Sequence, residues 1–117
     1  MTKAEKLFHK ITAKLTNAKE GKMFGVLCIK TTNGKAVAIF WKNNMMFKLQ
    51  GKAEQEALVL RGARTGTHIY NTARQMKGWV WIPFEHSNKW AKLTDKAIRQ
   101  VRSKTKIKNV YAEKSEI

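Results

Sequence analysis

Between Met23 and Gln50 the chain offers three apolar runs separated by little more than turn signals, a spacing that leaves few alternatives to an antiparallel meander. Met23–Thr31 is apolar and β-branched, Ala36–Trp41 returns, and Met45–Gln50 follows. The first break contains Asn33-Gly34, a pair that tolerates the positive φ of a type I′ hairpin turn. Lys42-Asn43-Asn44 supplies the second. In the third run Met45, Phe47 and Leu49 alternate with Met46, Lys48 and Gln50, so one face is expected to be buried and the other wet.

Helical patterns flank the meander. Thr2-Lys3-Ala4-Glu5 has the spacing of a capping box, and Ala4, Leu7, Phe8, Ile11 and Leu15 then recur at helical spacing. This helix is expected to end in the polar stretch Asn17–Lys22 with Gly21. Lys52–Arg61 is rich in helix formers and stops at Gly62. Two shorter strands are expected around Thr67–Asn71 and Gly78–Ile82, with a polar turn near Thr72–Lys77 and Pro83 as the stop. Ser87 or Asn88 can cap a last helix in which Trp90, Leu93, Ala97, Ile98 and Val101 share one face. The order α-β-β-β-α-β-β-α predicts an α+β fold with helices on an antiparallel sheet in two layers. One domain over residues 1–103 and a basic, mobile tail over 104–117 account for the length.

Charge separates the function classes. Lys and Arg number 24 and Asp and Glu 8, a formal net charge of +16. Such a charge attracts polyanions, nucleic acid first, with anionic lipid or an acidic protein partner behind it. The last helix concentrates it: Lys89, Lys92, Lys96, Arg99 and Arg102 lie opposite the apolar face, and Lys104, Lys106 and Lys108 follow. These eight residues are the candidate nucleic-acid contacts, although a lysine-rich helix face is ordinarily only solvated. Lysine outnumbers arginine there, which points to phosphate contact without base readout. Trp79 and Trp81 share a strand face and are candidate stacking residues beside Lys77 and Arg74. The competing expectation, which tryptophan's large apolar area favours, puts them under the helices as core.

Catalysis and metal binding find no support in the pattern. His9, His68 and His86 are far apart, none has a second ligand at metal spacing, and Cys28 is the single cysteine. Glu85-His86-Ser87 invites a triad, but neighbours in sequence usually point apart. Arg61-Gly62-Ala63-Arg64-Thr65-Gly66 lacks the lysine and preceding strand of a phosphate-binding loop. The expectation is a non-enzymatic protein with no cofactor. No stretch reaches the roughly 18 apolar residues of a membrane span. The N-terminus leads into an amphipathic pattern rather than a signal peptide, so the expected setting is cytoplasmic.

Several strings taken in order resemble the TfoX N-terminal domain family, named after bacterial regulators of competence genes. They are Lys22-Met23-Phe24-Gly25, the Asn33-Gly34 hairpin with its return strand, Arg61-Gly62, Lys77-Gly78-Trp79-Val80-Trp81-Ile82-Pro83 and Trp90-Ala91-Lys92-Leu93. The resemblance covers roughly Lys3 to Arg102. It implies a two-layer α+β fold like that of small secretion-chaperone domains, which often pair as homodimers, and it carries over no catalytic residue. The function expected is a regulatory binding module that holds nucleic acid non-specifically through its basic surface. The alternative is a small dimeric adaptor or chaperone-like protein for an acidic protein segment.

Overall fold

The structure is a computed structural model that describes the backbone of residues 1–115 and their side chains except those of Thr72 and residues 103–115. Helix α1 (Lys3–Ala13) opens as its sequence dictates: Thr2 Oγ1 accepts a hydrogen bond from the Glu5 amide at 3.1 Å and satisfies one of the free donors of the first turn. Four strands follow, β1 (Ala18–Met23), β2 (Val26–Thr31), β3 (Ala36–Trp41) and β4 (Asn44–Lys48), then helix α2 (Gly51–Leu58). Strands β5 (Arg64–His68) and β6 (Asn71–Ile82), a 3₁₀ turn at Phe84–Lys89 and helix α3 (Trp90–Ser115) complete the chain. The six strands form one antiparallel sheet in the order β1-β2-β3-β4-β6-β5. The expected α+β architecture, helices on an antiparallel sheet, is what the chain adopts. The basic tail expected at 104–117 lies outside the residues whose side chains are described.

One strand exceeds expectation. Residues 18–22, read from sequence as the polar end of α1, and Met23, read as the start of the next strand, form a strand of their own that pairs with β2 in a continuous register from Ala18↔Thr31 to Met23↔Val26. The reason for the difference is that β1 is an edge strand. Lys19, Glu20 and Lys22 keep it wet, as exposed edges require, and the same residues make it look like a loop. The turns also differ in kind. Phe24-Gly25 and Lys42-Asn43 both have paired positive φ values and form the tight two-residue hairpins. At Asn33-Gly34 only Gly34 is left-handed (φ 82°). The loop is a three-residue one closed by Gly34 N–H to Thr31 O, not the expected type I′ turn.

Strand β6 corrects a second boundary. The segment expected to turn, Thr72–Lys77, is the first half of this strand, and the hairpin bends at Ile69-Tyr70 instead. Gly78, a breaker on paper, is a bulge within the strand: its φ is 84° and its carbonyl accepts from the Leu49 amide at 2.8 Å.

The three helices cover one sheet face. Phe8 and Ile11 of α1, Ala57 of α2, and Trp90, Leu93, Ala97 and Ile98 of α3 are buried against Ile29, Ala38, Phe40, Met45, Phe47, Leu49, Val80 and Ile82. A bulge in β3, where Ile29 pairs with Ala38 but Lys30 with Ala36, lets Val37 join the same core. Gln100 ties α3 to the start of α2. Its Nε2 donates to Gln50 O at 3.1 Å, and its Oε1 accepts from Gln50 N at 3.0 Å.

The other face carries a smaller apolar cluster and, among the residues with described side chains, no helix packed over that cluster. Cross-strand pairing sets a row Gly21–Cys28–Ile39–Met46–Trp81–Arg64 on it. Ile69 and Met76 of the β5–β6 hairpin pack onto Cys28, Ile39 and Met46. The sheet therefore curls until its two ends meet. The Tyr70 hydroxyl donates to Phe24 O in the β1–β2 turn, and the Phe24 and His68 rings lie 5.7 Å apart. The enclosed space under the hairpin is only about 20 Å³.

Candidate nucleic-acid interface

Two cationic surfaces compete as the site. The first is the stripe expected on the last helix. Its geometry follows the helical period: Lys92, Arg99 and Arg102 are exposed, Lys96 is partly covered, and Lys89 stands exposed at the end of the 3₁₀ turn. Acidic groups interleave with it. Arg99 meets Asp95 at 3.1 Å, and Lys96 lies 3.8 Å from Glu56, which is also 3.9 Å from Lys52. These exposed pairs contribute little to stability, but they dilute the local positive field. Lys104, Lys106 and Lys108 lie outside the residues whose side chains are described.

The second surface is the face without helices. Lys48 alternates with Phe47 and Leu49, which are buried on the helix side, so it stands on the other face directly opposite Trp79. Lys30 and Lys19 are cross-strand partners on that face, and the Lys30 stem lies over Gly21. The Arg64 guanidinium sits 5.3 Å from the centre of the Trp81 ring. Lys42 lies 5.5 Å from that of Trp41. None of the six acidic residues with described side chains is here. Glu5, Glu54, Glu56, Glu85 and Asp95 belong to helical segments, and Glu20 turns toward α1, where it meets His9 Nδ1 at 2.5 Å.

Trp79 and Trp81 are therefore not under the helices. They are half-buried on the basic face, packed against Cys28, Ile39 and Met46. Beside Trp79, where that face meets α3, opens a groove of about 650 Å³ whose walls include Met23, Met76, Lys35, Lys48 and Lys77, with Gln100 and Val101 of α3 on its helix side. Gly66 makes the close packing possible: a Cβ there would stand 2.8 Å from Trp79 Cβ and 2.9 Å from Met46 Sδ. Arg74 is exposed farther along β6. The sequence signal for this surface was the alternation of β4, which placed Lys48 on the wet face; the curl that gathers the other cations around it has no local signature.

Chemistry centred on the titratable groups finds little geometry. His86 Nε2 is engaged with Arg61 O at 2.7 Å, and His9 with Glu20. Among the described residues no three His, Cys, Asp or Glu side chains converge on a common point for a metal ion. Cys28 is fully buried; burial pushes its thiol above the ordinary value, and Lys30 pulls it part of the way back. Among the described residues no helix is long and apolar enough to cross a membrane. Comparison of the chain with protein-family models, curated proteins and solved structures finds no match.

Proposed function

We propose that the chain is a non-enzymatic binding module that holds nucleic acid through its phosphates, without base readout, from the sheet face that bears no helix. The observation that carries this reading is the sorting of charge: lysine and arginine occupy both sides of the molecule, whereas the described carboxylates belong to helical segments or, in Glu20, turn toward α1. A surface on which no described carboxylate stands among the cations gains most from meeting a polyanion, because each phosphate contact releases condensed counterions. The sequence resemblance to the TfoX N-terminal domain family is what supports a regulatory setting for such a module.

An electrophoretic shift titration with random-sequence DNA and RNA at two salt concentrations tests it. Contact with about five phosphates gives a log–log salt slope of about −4.5 on duplex DNA. Charge reversal at Lys48 and Lys30 together weakens binding more than reversal at Lys96 and Arg99, whose neighbours already carry carboxylates. Absence of any shift at low salt and low-micromolar protein overturns the reading. Retention of an acidic protein from nuclease-treated lysate, with no nucleic acid bound, favours the adaptor alternative instead.

A further inference from the structure

We infer that the groove beside Trp79 is a single-strand site, in which an unpaired base stacks on the Trp79 ring while flanking phosphates meet Lys48 and Lys77. The inference rests on the proposed polyanion function and narrows it to one form of nucleic acid. Its volume, about 650 Å³, falls in the range of small-ligand pockets, about 300–1,000 Å³, and is far too confined for a duplex. The lining combines an aromatic ring, two methionines and three lysines with Gln50 and with Gln100 and Val101 of α3, and no carboxylate stands among its described residues. That combination suits a ligand with a flat apolar part and regularly spaced negative charge, which is the chemistry of single-stranded nucleic acid.

Local geometry holds the parts in place. Lys48 is the cross-strand partner of Trp79, so cation and ring belong to one register position. The bulge at Gly78 brings Lys77 to the same groove, and the Leu49–Gly78 hydrogen bond fixes that bulge to β4. Trp79 is seated by close packing over Gly66 and Met46, which leaves the ring half-buried and pre-set for stacking rather than mobile. In a duplex both faces of a base are already stacked on neighbours, so this site selects unpaired bases.

The test compares a deoxythymidine oligonucleotide, the same oligonucleotide with abasic sites, and a duplex of equal phosphate count. Binding is followed by shift assay and by tryptophan fluorescence. The base-bearing strand is expected to bind tightest and to quench fluorescence, with the quench largely lost in Trp79→Phe. Trp79→Leu is expected to weaken single-strand binding by about 5- to 150-fold. Lys48→Ala, at an exposed position that leaves the core intact, lowers the magnitude of the single-strand salt slope by about 0.7. Equal binding of abasic and base-bearing strands, or preference for the duplex, overturns the single-strand site while leaving the polyanion function standing. No binding of any of the three removes both. An unchanged slope in Lys48→Ala refutes the groove as the contact surface even if Trp79→Leu fails to fold.

Discussion

The two faces of this one sheet are made by the same strands, residue by residue in alternation, yet they meet different demands. The helix side is a large core closed by three helices, with fully buried Phe8, Phe47, Ile98 and Trp90 at its centre. The other side has a small cluster, Cys28, Ile39 and Met46, closed by the sheet's own curl. Stability is concentrated on the first, whereas the second carries cations with no described carboxylate among them. The lesson is that a sheet need not choose between a core and a binding surface when an alternating pattern can supply both.

The sharpest way to break this comparison is to cut into each face and compare the losses. Phe8→Ala on the helix side is expected to cost about 3–5 kcal/mol in chemical denaturation, because it removes a fully buried ring that packs 5.4 Å from Phe40. Gly66→Ala on the other face is expected to cost about 1–3 kcal/mol, since the added methyl collides with Trp79 and Met46. The same change displaces Trp79 and lowers nucleic-acid affinity, which Phe8→Ala in its folded fraction does not. Arg64→Ala gives the smallest effect, about 0.5–1 kcal/mol from the lost cation–π contact over Trp81. A loss at Arg64 as large as that at Phe8 would mean that the curled side is a second structural core.

Much of the helix side was legible before any coordinates. The 3.6-residue period of Phe8 and Ile11, and of Trp90, Leu93, Ala97 and Ile98, reports burial directly, because each helix sees one partner surface. The alternation of Met45–Gln50 likewise gave the correct face for Lys48, but the wet face expected there is covered at Met46, which the sheet's curl buries completely. What sequence concealed was set by long-range pairing. Strand β1 is stabilised by hydrogen bonds to β2 rather than by its own propensities, so Lys19, Glu20 and Gly21 read as a loop. The lysine stripe on α3 was visible, but its dilution by Glu56 depends on how α2 docks, more than 30 positions earlier in the chain. The surface around Trp79 needed the whole curl. Tyr70 reaching Phe24 is a contact between turns that no window of sequence compares.

The extra residue in β3 has a consequence for tolerance to length change. On either side of Val37 the strand obeys opposite parity, so Ala36 and Ile39 share a face although three positions separate them. Removing one residue at that point would restore strict alternation without turning either half inside out. The strand thus carries one unit of slack near its start, located where the largest core presses on it, and a deletion that would invert a strictly alternating strand is absorbed there by a straightened backbone.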